Sequence, residues 1–157
     1  MKSILLIFPN QLFKIKENFI NHKSVSLIED NLFFGFDSDW KQKFHQKKII
    51  FHKATMEAYS EELINQGYDV TYLKHKRDNS TEYYLNILAN KGFNYFITFE
   101  AFDWTLEKRI KNFCLKNKYK LEIRNNEISL TNKEITDEII NQKKINGLEK
   151  FYKKQRQ

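Results

Sequence analysis

Asn10-Gln11, Glu29-Asp30 and Glu100 are the polar residues of this 157-residue chain best placed to meet a ligand, because each follows directly on a short apolar run. In open α/β sheets, small molecules bind in the crevice beyond the carboxyl ends of the strands. Asn10 and Gln11 each offer an amide acceptor and an amide donor, the pair needed to read the edge of a heterocycle. Glu29 can accept hydrogen bonds from ring N–H groups or from ribityl-type hydroxyls. The structural alternative uses the same residues, with Asn10-Gln11 as a turn and Glu29 as a helix cap.

Other chemistry is poorly served. No glycine-rich phosphate loop follows the first apolar run, which disfavours a conventional dinucleotide site. His45 and His52 stand seven residues apart in a helical pattern, about 10.5 Å along its axis, too far to share one metal ion. His45 lies close to an aromatic loop and faces a ligand in this reading, whereas His52 packs or points to solvent. The one cysteine, Cys114, excludes a disulfide framework and sits among apolar neighbours as a buried structural thiol. No Ser/His/Asp arrangement is legible, so no catalytic residue and no metal ligand is assigned. Trp40 and Trp104 flank loop–helix junctions, where they stack on a ligand ring or, as favoured here, serve as core or domain-interface aromatics. Lys41, Lys48 and His52 follow helical spacing as an anion-binding stripe, or as a solvated face.

The elements that must position these residues alternate regularly. Apolar runs at Ser3–Phe8, Ser24–Ile28, Tyr68–Leu73, Asn94–Phe99 and Tyr119–Arg124 predict strands. Helical patterns cover 41–66, Thr81–Lys91 and Asp103–Lys118, the first two stopping at Gly67 and Gly92 and the third starting at Asp103 as N-cap. A further helix is expected from Thr131, with Glu134 completing a capping box. Strands apolar throughout, rather than at every second position, belong to a parallel sheet covered on both faces. The pattern therefore predicts a doubly wound, mostly parallel five-stranded α/β domain. Residues 29–42 break the alternation as a long aromatic loop, a length that is usually functional.

Length fits one domain, and such a domain buries roughly 70% of its unfolded surface. An aromatic fraction of 15% supplies a well-filled core, and the net charge of +7 suggests affinity for polyanions. That charge gathers in two clusters. Residues 41–53 hold five Lys and two His with no acid, and 143–156 hold six Lys or Arg against one Glu. Solvated helix surfaces would look the same. The apolar run Ile4–Phe8 is too short for a membrane span or signal core, so a cytoplasmic protein with no membrane partner is expected.

Six segments together resemble the amino-terminal domain of the bacterial photolyase-related, iron–sulfur cryptochrome and (6-4) photolyase family. Ile4-Leu5-Leu6-Ile7-Phe8-Pro9-Asn10-Gln11-Leu12 is similar to its opening strand and Gly-Asp-Gln-Leu turn. Phe44-His45-Gln46-Lys47-Lys48-Ile49 is similar to its His-His-Lys-x-Lys helix start. Ala58-Tyr59-Ser60-Glu61-Glu62-Leu63 and Gly67-Tyr68-Asp69-Val70-Thr71-Tyr72 resemble the next helix and strand. Glu100-Ala101-Phe102-Asp103-Trp104 resembles a Glu-Pro-Gly-Glu-Trp segment, and Leu148-Glu149-Lys150-Phe151-Tyr152-Lys153 resembles Met-Glu-x-Phe-Tyr-Arg. Asn10 stands where the family has Asp, and Phe44 where it has His.

The resemblance implies an α/β domain that binds an antenna chromophore, commonly a ribityllumazine. In such proteins the antenna passes excitation to FAD in a helical domain, which donates an electron to damaged DNA. Carried over by position, Asn10, Gln11, Glu29 and His45 are the antenna contacts. FAD and the iron–sulfur cluster belong to the second, helical domain or subunit, which these residues do not contain. Residues 1–142 then form the antenna-type domain, and 143–157 a basic, aromatic-bearing segment leading toward that partner. DNA contact through the basic clusters is expected to be weak. Two other readings fit the same residues: a chromophore-free domain docking a partner through Phe151 and Tyr152, or a small nucleotide-binding α/β protein.

Overall fold

The computed structural model describes residues 1–15, 23–101 and 103–125. The helix expected from Thr131, the boundary at 142/143 and the basic segment 143–157 lie outside the described residues. Five apolar runs form strands: β1 (Ser3–Ile7), β2 (Ser24–Ile28), β3 (Asp69–Leu73), β4 (Tyr95–Phe99) and β5 (Lys120–Arg124). Between them lie α1 (Asn31–Phe34), α2 (Gln46–Asn65), α3 (Thr81–Asn90) and α4 (Trp104–Lys116). The strands make a single parallel sheet in the order β3-β2-β1-β4-β5. Leu5 pairs with Val25 of β2 on one side of β1 and with Ile97 of β4 on the other.

Continuous apolar strands are explained by what covers them. From β1, Ile4, Leu6 and Phe8 point to one face, where α3 (Tyr84, Leu85, Leu88) and α4 (Leu106, Ile110, Phe113) pack. Leu5 and Ile7 point to the other face, against Met56, Tyr59 and Leu63 of α2. Each such Leu, Ile or Phe removed from water contributes roughly 1.5–3 kcal/mol. Both faces of β1 are therefore buried.

Helix boundaries follow local chemistry. The pattern over 41–66 predicts a helix from Lys41, yet α2 starts at Gln46. His45 is extended (φ −64°, ψ 139°), and its side chain accepts from the Lys47 N–H as N-cap. Upstream, Asp37 Oδ1 accepts from the Asp39 and Trp40 N–H groups, a turn that competes with helix. Lys41 consequently lies off the helix, and the stripe of Lys41, Lys48 and His52 does not form.

The aromatic loop 29–42 also contains order not visible in its pattern. Asp30 caps the single turn α1, and Gly35 ends it in the left-handed region at φ 77°. A Cβ on Gly35 would stand 2.8 Å from the Gln42 carbonyl oxygen and 3.2 Å from the Phe44 nitrogen. Trp40 and Trp104, expected in a core or interface, are 53% and 72% exposed. Cys114 is buried as expected, and burial pushes its thiol up to about 11.

Candidate functional site at the carboxyl end of the sheet

Strand order reverses at β1, with β2 on one side and β4 on the other, so the β1/β4 boundary is the switch point where doubly wound folds open a crevice. Gln11 occupies it. Its side chain is fully buried, with Oε1 accepting from the Phe8 N–H at 3.2 Å and Nε2 donating to the Phe99 carbonyl at 3.0 Å. The amide thus ties the end of β1 to the end of β4. Its neighbour Asn10 has a buried Oδ1 with no hydrogen-bond partner.

At the end of β2, Glu29 is 1% exposed. Parallel pairing with β3 brings two donors to it. The Tyr72 hydroxyl donates to Oε1 at 2.5 Å, and the His75 backbone N–H donates to Oε2 at 2.9 Å. Burial, reinforced by the Glu29 carboxyl, holds the Tyr72 hydroxyl far above its ordinary value, so it remains a proton donor.

Asp30 is fully buried as the cap of α1, with Oδ1 accepting from the Leu32 N–H at 3.0 Å and Oδ2 without a hydrogen-bond partner. Burial raises its carboxyl above the ordinary value, partly offset by the Leu32 N–H, the Thr81 hydroxyl and Arg109. Asn31 Nδ2 reaches the carbonyls of Lys76 (2.8 Å), Arg77 (3.2 Å) and Asn79 (2.6 Å), pinning the segment after β3, while its Oδ1 stays unpartnered.

That pinned segment delivers His75 between two rings. Its imidazole stacks on Phe34 at 4.8 Å and on Phe36 at 5.4 Å, with interplanar angles of 21° and 8°. His52, from the first half of α2, is a second imidazole beside Phe34, with ring centroids 6.0 Å apart. The buried Nδ1 of His75 and both ring nitrogens of His52 lack partners. Burial lowers both imidazoles below their ordinary value, with Lys53 acting on His75 and Lys48 on His52 in the same direction. Neutral rings that can donate or accept are the result.

His45 has a different setting. It is exposed at the N-terminus of α2, and its Nδ1 accepts from the Lys47 N–H at 3.2 Å. Sequence patterns single out Asn10, Gln11, Glu29 and His45 but not Tyr72, Asn31 or His75, and they leave His52 packing or facing solvent. The His-Lys-rich stretch after β3 gives no periodic signal, so only the β2–β3 register reveals His75.

A cleft of about 840 Å³ opens beside this set, lined by Phe36, Asp37, Arg77, Ser80, Thr81 and Arg109 among others. None of Asn10, Gln11, Glu29 and His45 lines it. Phe36 connects the two regions, since its ring stacks on His75 and also lines the cleft. Ion pairs cross the cleft wall: Arg109 reaches Asp37 with two nitrogens, at 2.5 and 2.9 Å, and Asp39 at 2.8 Å. No group of three or more His, Cys, Asp or Glu able to hold a metal ion occurs among the described residues. No helix among them is long and apolar enough to cross a membrane.

These features define an α/β domain with a parallel sheet in which, among the described residues, the unpartnered buried polar atoms gather beyond the strand ends or beside α1. The sequence specifies the family: residues 5–157 match the Deoxyribodipyrimidine photo-lyase-related protein family, and the chain belongs to it. A relative, the uncharacterized protein R852 of Acanthamoeba polyphaga mimivirus, is 34% identical over 116 residues, 72% of this chain and 58% of that protein. The chain thus spans a little over half the length of that curated relative.

Proposed function

We propose that this domain binds an antenna chromophore of the ribityllumazine type at the carboxyl end of its sheet and serves a light-dependent DNA-repair protein. One observation carries the reading. Among the described residues, the six buried side-chain atoms without a hydrogen-bond partner belong to Asn10, Asp30, Asn31, His52 and His75. All five lie beyond the ends of β1–β3 or beside α1, although polar groups are buried throughout the fold. Buried polar atoms normally find partners, and each exception calls for one.

The chemistry of the set fits a polar heterocycle with a polyol chain. Asn10 Oδ1, Asp30 Oδ2 and Asn31 Oδ1 are acceptors for ring N–H or ribityl hydroxyl groups, and the imidazoles supply either function. Glu29 adds a carboxylate already oriented by Tyr72 and His75. Gln11 shapes the floor, and His45 stands at the exposed rim on α2. When bound, the chromophore supplies light absorption; the protein residues bind it, orient it and exclude water. FAD, an iron–sulfur cluster and the repair reaction belong in this reading to a helical partner domain or subunit. DNA contact by this domain alone is weak and electrostatic, so it declines steeply with salt.

Titration of the purified protein with a ribityllumazine tests the proposal. A red-shifted absorption band and quenched fluorescence, both lost in Glu29→Ala, are expected. Unchanged spectra at saturating protein would sink it and favour a chromophore-free docking domain.

A further inference from the structure

The outward face of α2 carries a second kind of information. Its inner face buries Met56, Tyr59, Ser60 and Leu63. On a flank Ile64 is 56% exposed, and on the outward side Ile50 and Phe51 are each 65% exposed. Phe51, Ala54 and Ala58 follow one another at helical spacing on that side, all exposed, and the two alanines permit close approach of another helix.

The charges along this helix run against its own dipole. Lys47, Lys48 and Lys53 occupy the first half and Glu57, Glu61 and Glu62 the second, with no acid in the first turn and no base in the last. A helix is favoured by acids at its N-terminus and bases at its C-terminus, so this order opposes the macrodipole. Among the described residues, two of these acids meet exposed partners. Glu57 meets Lys74 at 3.1 Å with both side chains more than half exposed, and Glu62 accepts from Gln66 at 3.0 Å. Such surface pairs contribute little.

A second α2 laid antiparallel resolves the conflict. We propose that α2 is a self-association surface on which two copies of this chain pair antiparallel about a twofold axis. Each basic half then meets the acidic half of the other copy, and the two dipoles oppose. A register centred near Thr55 sets Lys47 against Glu62 and Lys53 against Glu57 of the second copy, with Phe51 over Ala58. Because the interface is isologous, every contact occurs twice. An acid-rich or a purely basic helix face would not be self-complementary in this way. The surface lies opposite the buried face of α2, and dimerisation is read without chromophore, so its failure is distinguishable from failure of the proposed chromophore site.

Sedimentation of the full chain tests this. Wild-type protein is expected to show a monomer–dimer equilibrium that weakens as salt rises. Lys47→Glu with Lys53→Glu makes the four paired positions acidic, and Glu57→Lys with Glu62→Lys makes all four basic. Each double variant alone is expected to dimerise at least about tenfold more weakly, since attractive pairs become repulsive. Their equimolar mixture restores a heterodimer of near wild-type affinity, a result that no merely structural role of these residues produces. Phe51→Ser weakens the dimer without a charge change, and far-UV circular dichroism verifies that all variants keep their helix content. Wild-type protein remaining monomeric up to about 1 mM, a mixture that stays monomeric, or a dimer indifferent to these substitutions would each overturn the proposal.

Discussion

The Tyr72 hydroxyl donates to Glu29 Oε1 across the β2–β3 pairing at 2.5 Å, which joins the ends of two strands through one buried carboxyl group. Tyr72→Phe keeps the ring and removes only the donor, leaving one oxygen of Glu29 buried without it. A loss of about 1–3 kcal/mol is expected in urea unfolding. Glu29→Gln in the same background is expected to recover part of that loss, because a neutral amide is cheaper to bury. A Tyr72→Phe protein as stable as wild type would show that Glu29 does not need this donor.

Arg109 and Asp37 make the corresponding link between the aromatic loop and α4. Asp37 is 7% exposed, so Arg109→Ala leaves a buried carboxylate without its cation. A cost near the lower end of the usual 3–5 kcal/mol follows, since the guanidinium retains some contact with solvent. Burial alone would raise the Asp37 carboxyl, but Arg109 and the Trp40 and Asp39 N–H groups outweigh it and hold it below its ordinary 3.8. For a depressed acid, the stability is present above pH 3.8 and is lost as pH falls through the folded value. Asp37→Asn should therefore flatten the acid limb of the stability profile measured by thermal unfolding between pH 2 and 6.

Asp30 carries the opposite sign. Burial raises its carboxyl above 3.8, so its ionised form works against folding at neutral pH. Any contribution it makes is present below 3.8 and is lost as pH rises through the folded value. Asn retains the oxygen that caps α1 while removing the charge. Asp30→Asn is accordingly expected to raise the melting temperature at pH 7, with the gain disappearing below pH 3.8. The same variant should bind the chromophore less tightly, because stability withheld at a polar site is commonly a sign of function.

Lys118 has φ 56°, the left-handed conformation that Gly67 and Gly92 adopt after α2 and α3. The backbone closure is the same in each case: Tyr119 N–H reaches the Cys114 carbonyl at 2.9 Å, as Tyr68 reaches Leu63 and Phe93 reaches Leu88. A side chain there costs roughly 1–2 kcal/mol, partly offset by the entropy that glycine loses on folding. Lys118→Gly should stabilise the protein by about 0.5–1 kcal/mol in chemical denaturation.

Much of the sheet was legible from sequence because each strand is a continuous apolar run stopped by a polar or turn residue. Ser24–Ile28 matched to the residue, and Gly67 and Gly92 marked helix ends for a stereochemical reason. The start of α2 was not legible. Residues 41–45 contain no Pro or Gly, and the decisive features are the turn at Asp37 and the extended His45. The single turn α1 is too short to show a period. Asn10 and Glu29 could be singled out from their place after apolar runs. That Gln11 binds the backbone at both ends of its amide depends on β4 lying beside β1, a relation no local pattern encodes. His75 and Tyr72 reach Glu29 through the same kind of distant pairing, 46 and 43 residues away along the chain.

The central claim is that a chromophore meets the unpartnered groups beyond β1–β3, and the imidazole nitrogens of His52 and His75 report on that place directly. Nitrogen-15 NMR of the histidine rings, recorded while a ribityllumazine is added, is the most direct test. The account predicts that the His52 and His75 ring signals shift in proportion to bound ligand and that Asn10→Leu weakens the response. Spectroscopically demonstrated binding that leaves both sets of ring signals unmoved would contradict it, since the chromophore would then lie elsewhere on the protein.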